Sequence, residues 1–354
     1  MVVSLVLLFI TCASLSFVED RLTDRDKKII YMLLGIVMIL IAGLREVGST
    51  PDTETYEEMF YSKEDSMILL VTEPSFRQIS AFLHSLSLGV NALFLVYAII
   101  SIPIHLTALW RISRIPFLTL TIYISYYYMM HDMVQMRCGV AAGLFLWAIY
   151  FYVEKKKLYT LFFILLGIYF HYSAAAGLVI FLLGNGFPKW QRYILYAIVP
   201  VGLVVYFTHT DILSIVPDEW GGLKLMKYRT MREKGMDDLI AGWKFEINMN
   251  IWMNIVLYYC CIFYHDYLAK HFKYTSVAIK LQGIGFCFLF YVNSLSQVVG
   301  NRMNDYFSVA SVLLWTASFY AFYPKLLSRI ISNAISTFRF VTSMLGYALS
   351  LLYL

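Results

Sequence analysis

Apolar runs follow one another along almost the whole chain, parted mainly by short polar loops. A helix needs about 20 apolar residues to cross the hydrocarbon of a bilayer, with a range of roughly 17–25. Candidate spans are Val2–Phe17, Ile29–Leu44, Val90–Trp110, Phe117–Met130, Gly139–Val153, Leu158–Phe170, Ser173–Leu183, Tyr193–Thr208, Met249–Tyr264, Val277–Leu295, Tyr306–Tyr323 and Ile330–Tyr353. Of the 354 residues, 60% are hydrophobic and 14% charged, against about 45–50% and about 25% in soluble domains. The expectation is an all-α, polytopic integral membrane protein with 11 or 12 transmembrane helices, one transmembrane domain over residues 1–354. Leu158–Leu183 reads either as one long tilted helix or as two short limbs broken near His171. The last segment contains Arg339, so it either spans or lies at the interface. Val2–Phe17 lacks a basic n-region and a small-residue cleavage site, which favours a retained span over a signal peptide.

Loop charge sets the orientation, because short cytoplasmic loops retain Lys and Arg. Placing the loop with Arg21, Arg25, Lys27 and Lys28 inside and alternating puts five further basic loops inside. These carry Arg111 and Arg114, Lys155–Lys157, Lys189 and Arg192, Lys270 and Lys273, and Lys325 and Arg329. With Lys280, the inside holds 16 Lys/Arg against 6 Asp/Glu, and the outside 11 against 17, Arg339 counted in neither. The scheme requires a break near His171. It also leaves two long outer loops, residues 45–89 and 210–248. Loops beyond about 15 residues are usually functional or disordered, so the working surface is expected on the outer, periplasmic face. The five cysteines show no ligand spacing and read as small lipid- or core-facing residues.

Against the charge rule, Arg45, Arg137, Arg229, Arg302 and His171 fall on the outer side. Outer arginines point to an anionic ligand, since the guanidinium fork suits phosphate bidentately. Arg45 leaves the second span just before Gly48, Pro51, Asp52 and Tyr56, where a turn leads into a helical turn. An arginine snorkelling to headgroups explains the same residue. Gln135 and Arg137 open a helix of small residues, where free N–H groups favour anions; a small-residue packing face is the competing reading. His171 interrupts a long apolar stretch, and ionisable residues at membrane depth are usually functional. It suits proton abstraction from a sugar hydroxyl, or a plain bond to a backbone carbonyl. Arg302 and Tyr306 lie one turn apart, as a site or as an interfacial anchor pair. The second outer loop joins Arg229 and Arg232 to Lys224, Lys227 and Lys234 with Trp220, Tyr228 and Trp243, a pattern for phosphorylated lipid or for headgroups. His84, His105, His131 and His209 read as packing or interfacial residues.

The sequence has no Walker loop, zincin motif, metal-ligand cluster or nucleophile elbow. An ATPase, zincin or serine hydrolase is therefore not expected, and a transferred group would arrive already activated. No cofactor and no nucleic-acid partner are expected.

The succession of these motifs resembles the EpsG family and the Wzy-type polymerases of O-antigen and capsule. The elements that carry the resemblance are Arg45…Asp52…Tyr56, Gln135 with Arg137, Phe170-His171-Tyr172-Ser173-Ala174, and Arg302…Tyr306, with Glu73-Pro74-Ser75-Phe76 in the first outer loop. It runs from Ile29 to Tyr306, and its motifs are individually short. Ser49-Thr50-Pro51 sets Asp52 further from Gly48 than the family pattern does. The resemblance implies a metal-independent membrane glycosyltransferase in the bacterial inner membrane. Such an enzyme joins oligosaccharide repeat units carried on undecaprenyl pyrophosphate at the outer leaflet. It implies Arg45, Arg137 and Arg302 as pyrophosphate ligands, with Arg229 or Arg232 in support. His171 or Asp52 would be the base, with Gln135, Tyr56 and Tyr306 supporting the substrate. A chain-length regulator is a further implied partner. The alternatives are a flippase for the same lipid-linked oligosaccharide, and an O-antigen ligase or acyltransferase.

Overall fold

The computed structural model describes residues 1–62, 72–184, 186–208, 210, 247–292 and 297–352. Every regular element among them is helical. α1 is Val2–Val18, α2 Asp24–Gly43, α3 Thr53–Tyr61, α4 Pro74–Ser85, α5 Val90–Ile112, α6 Pro116–Ile124, α7 Met136–Val153 and α8 Lys157–Phe170. A 3-10 helix, Tyr172–Leu182, follows. α9 is Lys189–Phe207, α10 Met249–Phe263, α11 His265–His271, α12 Thr275–Cys287, α13 Gln297–Ser318 and α14 Lys325–Leu352. Over their described residues the twelve apolar segments are mainly helical. Among the described residues five helical stretches are long and apolar enough to cross a membrane, Val2–Arg21, Val90–Ile112, Met136–Val153, Lys189–Phe207 and Thr275–Val292. The chain is a polytopic membrane protein.

Local chemistry sets several boundaries. Thr23 caps α2 by accepting from the Asp26 N–H at 3.2 Å, and Asn248 caps α10 by accepting from Ile251 N–H at 3.0 Å, each satisfying an orphan donor. Pro74 starts α4 where its missing N–H is harmless. Apolar side chains such as Leu7, Ile10, Met32, Leu33 and Ile36 remain exposed on α1 and α2. In a bilayer these face lipid tails, so helix association rests on packing and interhelical polar contacts rather than on exclusion of water.

The stretch Leu158–Leu183 is two limbs. α8 stops at Phe170, His171 takes an extended conformation (φ −155°, ψ 121°), and the 3-10 helix begins at Tyr172. At about 1.5 Å per residue the 14 residues of α8 rise about 21 Å, short of the hydrocarbon's roughly 30 Å. His171 is thus recessed within the bundle. Tyr306 holds the second limb in place. Its ring stacks on Phe145 at 4.8 Å, and its hydroxyl lies 3.5 Å from the Ala174 carbonyl.

α14 packs antiparallel to α1 along the stretch from Glu19 back to Phe9. Arg329 pairs with Glu19 at 3.2 Å and Asp20 at 2.8 Å, Asn333 donates to Ser16 at 2.9 Å, and Phe340 stacks on Phe9 at 4.4 Å. The basic loops meet at one end of the bundle. Arg192 pairs there with Asp266 at 2.9 Å, Lys273 with Glu154, and Phe187 stacks on His265. Asp52, Arg137, His171 and Arg302 gather toward the other end.

Candidate active site

The site begins with a turn. Gly48 adopts φ +79°, a conformation that favours glycine, and its N–H donates to Thr53 Oγ1 at 2.9 Å. Thr50 donates to the Met133 carbonyl at 3.3 Å. These bonds fix the start of α3, so Asp52 at its N-cap and Tyr56 one turn on face the bundle interior.

α7 contributes from its first turn. The chain reaches it through a π-helical turn, Tyr128–Val134. That turn folds back so closely that a Cβ on Gly139 would lie 1.9 Å from the His131 carbonyl oxygen. Only glycine allows this approach, and it sets the position of Gln135 and Arg137. Gln135 Nε2 donates to Asp305 Oδ2 on α13 at 2.8 Å. Arg137 lies over the rings of Tyr56 and Phe76, 5.4 Å from each centroid.

Glu73 joins three elements. One carboxylate oxygen accepts from Arg137 Nη1. The other lies 2.9 Å from His171 Nδ1 and accepts from the Tyr172 N–H at 3.4 Å. Glu73 stands at the N-cap of α4 but makes no capping bond with its side chain; the carboxylate is spent on Arg137 and His171 instead. Glu73 is buried, which pushes its carboxyl up. The hydrogen bond from His171 and the charge of Arg137 outweigh that and hold it down at about 2. Burial raises the Asp52 carboxyl above its ordinary value, opposed by Arg302 and Arg137. The Nε2 of His171 is buried and has no hydrogen-bond partner among the described residues.

Asp52, Tyr56, Gln135, Arg137, Cys138, His171 and Arg302 line one narrow cleft. They come from four separate stretches of chain. The free space is about 10 Å³, close to one water, so a sugar phosphate enters only if the walls part. On the other face of α3 a wider groove of about 440 Å³ is lined by Glu46, Val47, Glu57, Tyr61, Gly89, Val90 and Asn91. Glu57 and Tyr61 are four residues apart and share that face.

Six of the ten residues singled out in the sequence thus converge: Asp52, Tyr56, Gln135, Arg137, His171 and Arg302. Arg45 and Tyr306 do not line the cleft. Arg45 is buried behind it, donating to the Ala42 carbonyl, lying 4.3 Å over Phe94 and touching the Met136 sulfur at 3.7 Å. Tyr306 packs the 3-10 limb. Arg229 and Arg232 lie outside the described residues, as does His209. Arg302 is not ahead of its helix but within α13, which starts nine residues before Tyr306, at Gln297. His105 and His131 sit beneath the site. His105 lies 3.4 Å from Asp132, which accepts from Ser101 at 2.5 Å and from Tyr123.

Sequence reading missed the role of Glu73 and of Asp305. Glu73 stood in a motif of the first outer loop. Its partners are 64 and 98 residues away, so nothing local announced them.

A model of the EpsG family matches residues 28–354, nearly the whole chain. The chain belongs to the EpsG family. This is a Wzy-type polymerase-like family, and the cleft of this EpsG-family protein is assembled from the elements that carry the resemblance. No curated protein and no solved structure matches the chain.

Proposed function

We propose that this EpsG-family protein is a membrane glycosyltransferase that polymerises oligosaccharide repeat units carried on undecaprenyl pyrophosphate, at the outer leaflet of a bacterial inner membrane. One observation carries the reading: Arg137, Arg302, His171 and Asp52 converge on a single recessed cleft at the end of the bundle opposite the basic loops. The donor chain arrives activated. Its leaving group is a lipid pyrophosphate, and arginines preorganised in a low-dielectric site stabilise the charge that develops there. His171 and Asp52 are the two groups placed to take the acceptor proton. The adjoining groove, with Glu46, Glu57, Asn91 and the ring of Tyr61, suits sugar hydroxyls, and its described lining residues include no cation that would attract phosphate. A cleft at one end, rather than charges along a central channel, favours a transferase over a flippase.

The test uses a deletion strain. Cells lacking the protein accumulate single repeat units on the lipid and regain long polymer when the wild-type gene returns. The purified protein builds a ladder from those lipid-linked repeats alone. Loss of all surface polysaccharide, including single repeats, points to a flippase. A product seen only with a second acceptor points to a ligase or acyltransferase.

A further inference from the structure

The cleft is lined by two candidate bases, Asp52 and His171, and a further carboxylate, Glu73, stands behind His171 with no role yet assigned. Glu73 is buried, lies outside the lining of the cleft and binds two of the residues that line it. A neutral imidazole carries one proton, and the hydrogen bond made by one nitrogen decides which nitrogen holds it. Nδ1 of His171 lies 2.9 Å from a carboxylate oxygen that can only accept. The proton is therefore on Nδ1, and the lone pair is on Nε2. Nε2 is buried and partnerless among the described residues, on a side chain that lines the cleft. Asp52 is placed differently, since the charges that act on it are those of Arg302 and Arg137.

We propose that Glu73 is a positioning residue: it fixes the His171 proton on Nδ1 and leaves Nε2 as the base that takes the acceptor hydroxyl proton. This rests on the polymerase reading above. In the step, the acceptor O–H bond breaks and its proton goes to Nε2. The acceptor oxygen bonds to the anomeric carbon. The bond from that carbon to the pyrophosphate oxygen breaks, and its electron pair leaves with the lipid pyrophosphate against Arg137 and Arg302. Glu73 steadies the imidazolium so formed. The proton then passes to water or to the departing pyrophosphate. Glu73 also shares Arg137 with the substrate, so its charge opposes pyrophosphate binding while it promotes the chemistry.

The charged groups around His171 are Glu73 from α4, Arg137 from α7, Arg302 from α13 and Asp52 at the start of α3. Replacing Glu73 by Gln removes the one carboxylate in contact with the ring. The measurements use the full-length protein in nanodiscs and lipid-linked repeats extracted from the deletion strain. Glu73→Gln is expected to lower turnover at neutral pH at least ten-fold. The acidic limb of its rate profile should move down by about one pH unit, because the imidazolium has lost its counter-charge. It should bind inorganic pyrophosphate at least as tightly as the wild type, and Glu73→Asp should recover part of the rate. Nitrogen NMR of ¹⁵N-histidine-labelled protein, with His171 assigned by its loss in His171→Gln, should show the neutral ring protonated at Nδ1. A limb that stays in place in a folded, slower Glu73→Gln overturns the assignment. So does a His171 ring protonated at Nε2 in the wild type, a result that stands even if Glu73→Gln does not fold. A wild type that makes no ladder overturns the polymerase reading instead, and the NMR result judges the Glu73 assignment whichever way the ladder goes.

Discussion

Arg339 lies fully buried in mid-helix on α14, between the rings of Tyr126, Tyr127 and Trp315 at 5.5, 5.0 and 5.0 Å. None of its three side-chain nitrogens has a hydrogen-bond partner among the described residues. Cation–π contacts of about 2 kcal/mol each in a desolvated site offset part of the penalty for burying that charge. An apolar side chain of similar length removes the penalty and keeps the packing. Arg339→Met is expected to unfold at the wild-type temperature or above it, whereas Arg339→Ala, which leaves a void, loses about 2–4 kcal/mol. Tryptophan fluorescence melts compare them. A destabilised Met variant would show that the cage outweighs the burial penalty, and a stabilised Ala variant that packing at this position contributes little; either result would overturn the stated balance. Glu73 makes a second residue-scale prediction. Its carboxyl falls from an ordinary 4.5 to about 2 on folding. A lowered folded value gives stability that is complete above pH 4.5 and drains away as pH falls toward 2. Melting temperature should drop across that window in the wild type and less steeply in Glu73→Gln; parallel curves would show that another group is responsible. The arginines differ in kind. Removing one preorganised donor lowers rate by about 10²–10³, so Arg137→Ala and Arg302→Ala should lose polymer at normal expression. Arg45→Ala should mainly lower the melting temperature, because Arg45 serves the α2 end and Phe94. Equal pyrophosphate affinity in Arg137→Ala and the wild type would remove Arg137 from the binding role.

At the scale of elements, the site depends on irregular backbone. α8 and the 3-10 limb meet at an extended His171, and the π-helical turn before α7 folds back on Gly139. Broken helices at membrane depth are tolerated where protein surrounds them or a cavity receives them, and both conditions hold here. Gly139→Ala puts a methyl into the His131 carbonyl. The turn must move, at a penalty of about 1–3 kcal/mol, and Gln135 and Arg137 move with it. Reduced thermal stability together with a rate loss larger than that of a distant variant of equal stability is the expected pair of results. A variant with unchanged rate and stability would mean that the close approach is dispensable. The break itself was legible, because only a break there lets every basic loop fall on one side. Its form was not, since the second limb, Tyr172–Leu182, packs against Phe145 and Tyr306, which are distant in sequence.

For the whole molecule, the twelve helical segments and the separation of basic loops from the cleft follow from hydropathy and charge, which are local properties. Sidedness has its own test. A cysteine placed at Glu46 should react with a membrane-impermeant maleimide in intact cells, in a background with Cys260 replaced, and one at Lys155 only after permeabilisation. The reverse pattern would invert the topology. Six of the ten residues singled out line one cleft; Arg137, Arg302 and His171 stood out because arginine and histidine are conspicuous in a chain otherwise so apolar, and Asp52, Tyr56 and Gln135 were named as members of the same short motifs. Arg45 stands behind the cleft and not in its lining, a distinction that an outer arginine does not show in sequence, and Glu73 stood in a short motif whose neighbours give no sign of Arg137 or His171. The amino-acid order by itself determined that the chain is a helical membrane protein, which end carries the unusual charges, and where one helix must break. The tertiary structure alone decided that Glu73 reaches Arg137 and His171 and that Arg45 stands behind the cleft. Hydropathy is summed along the chain, but a hydrogen bond between residues 98 positions apart exists only once the helices have packed.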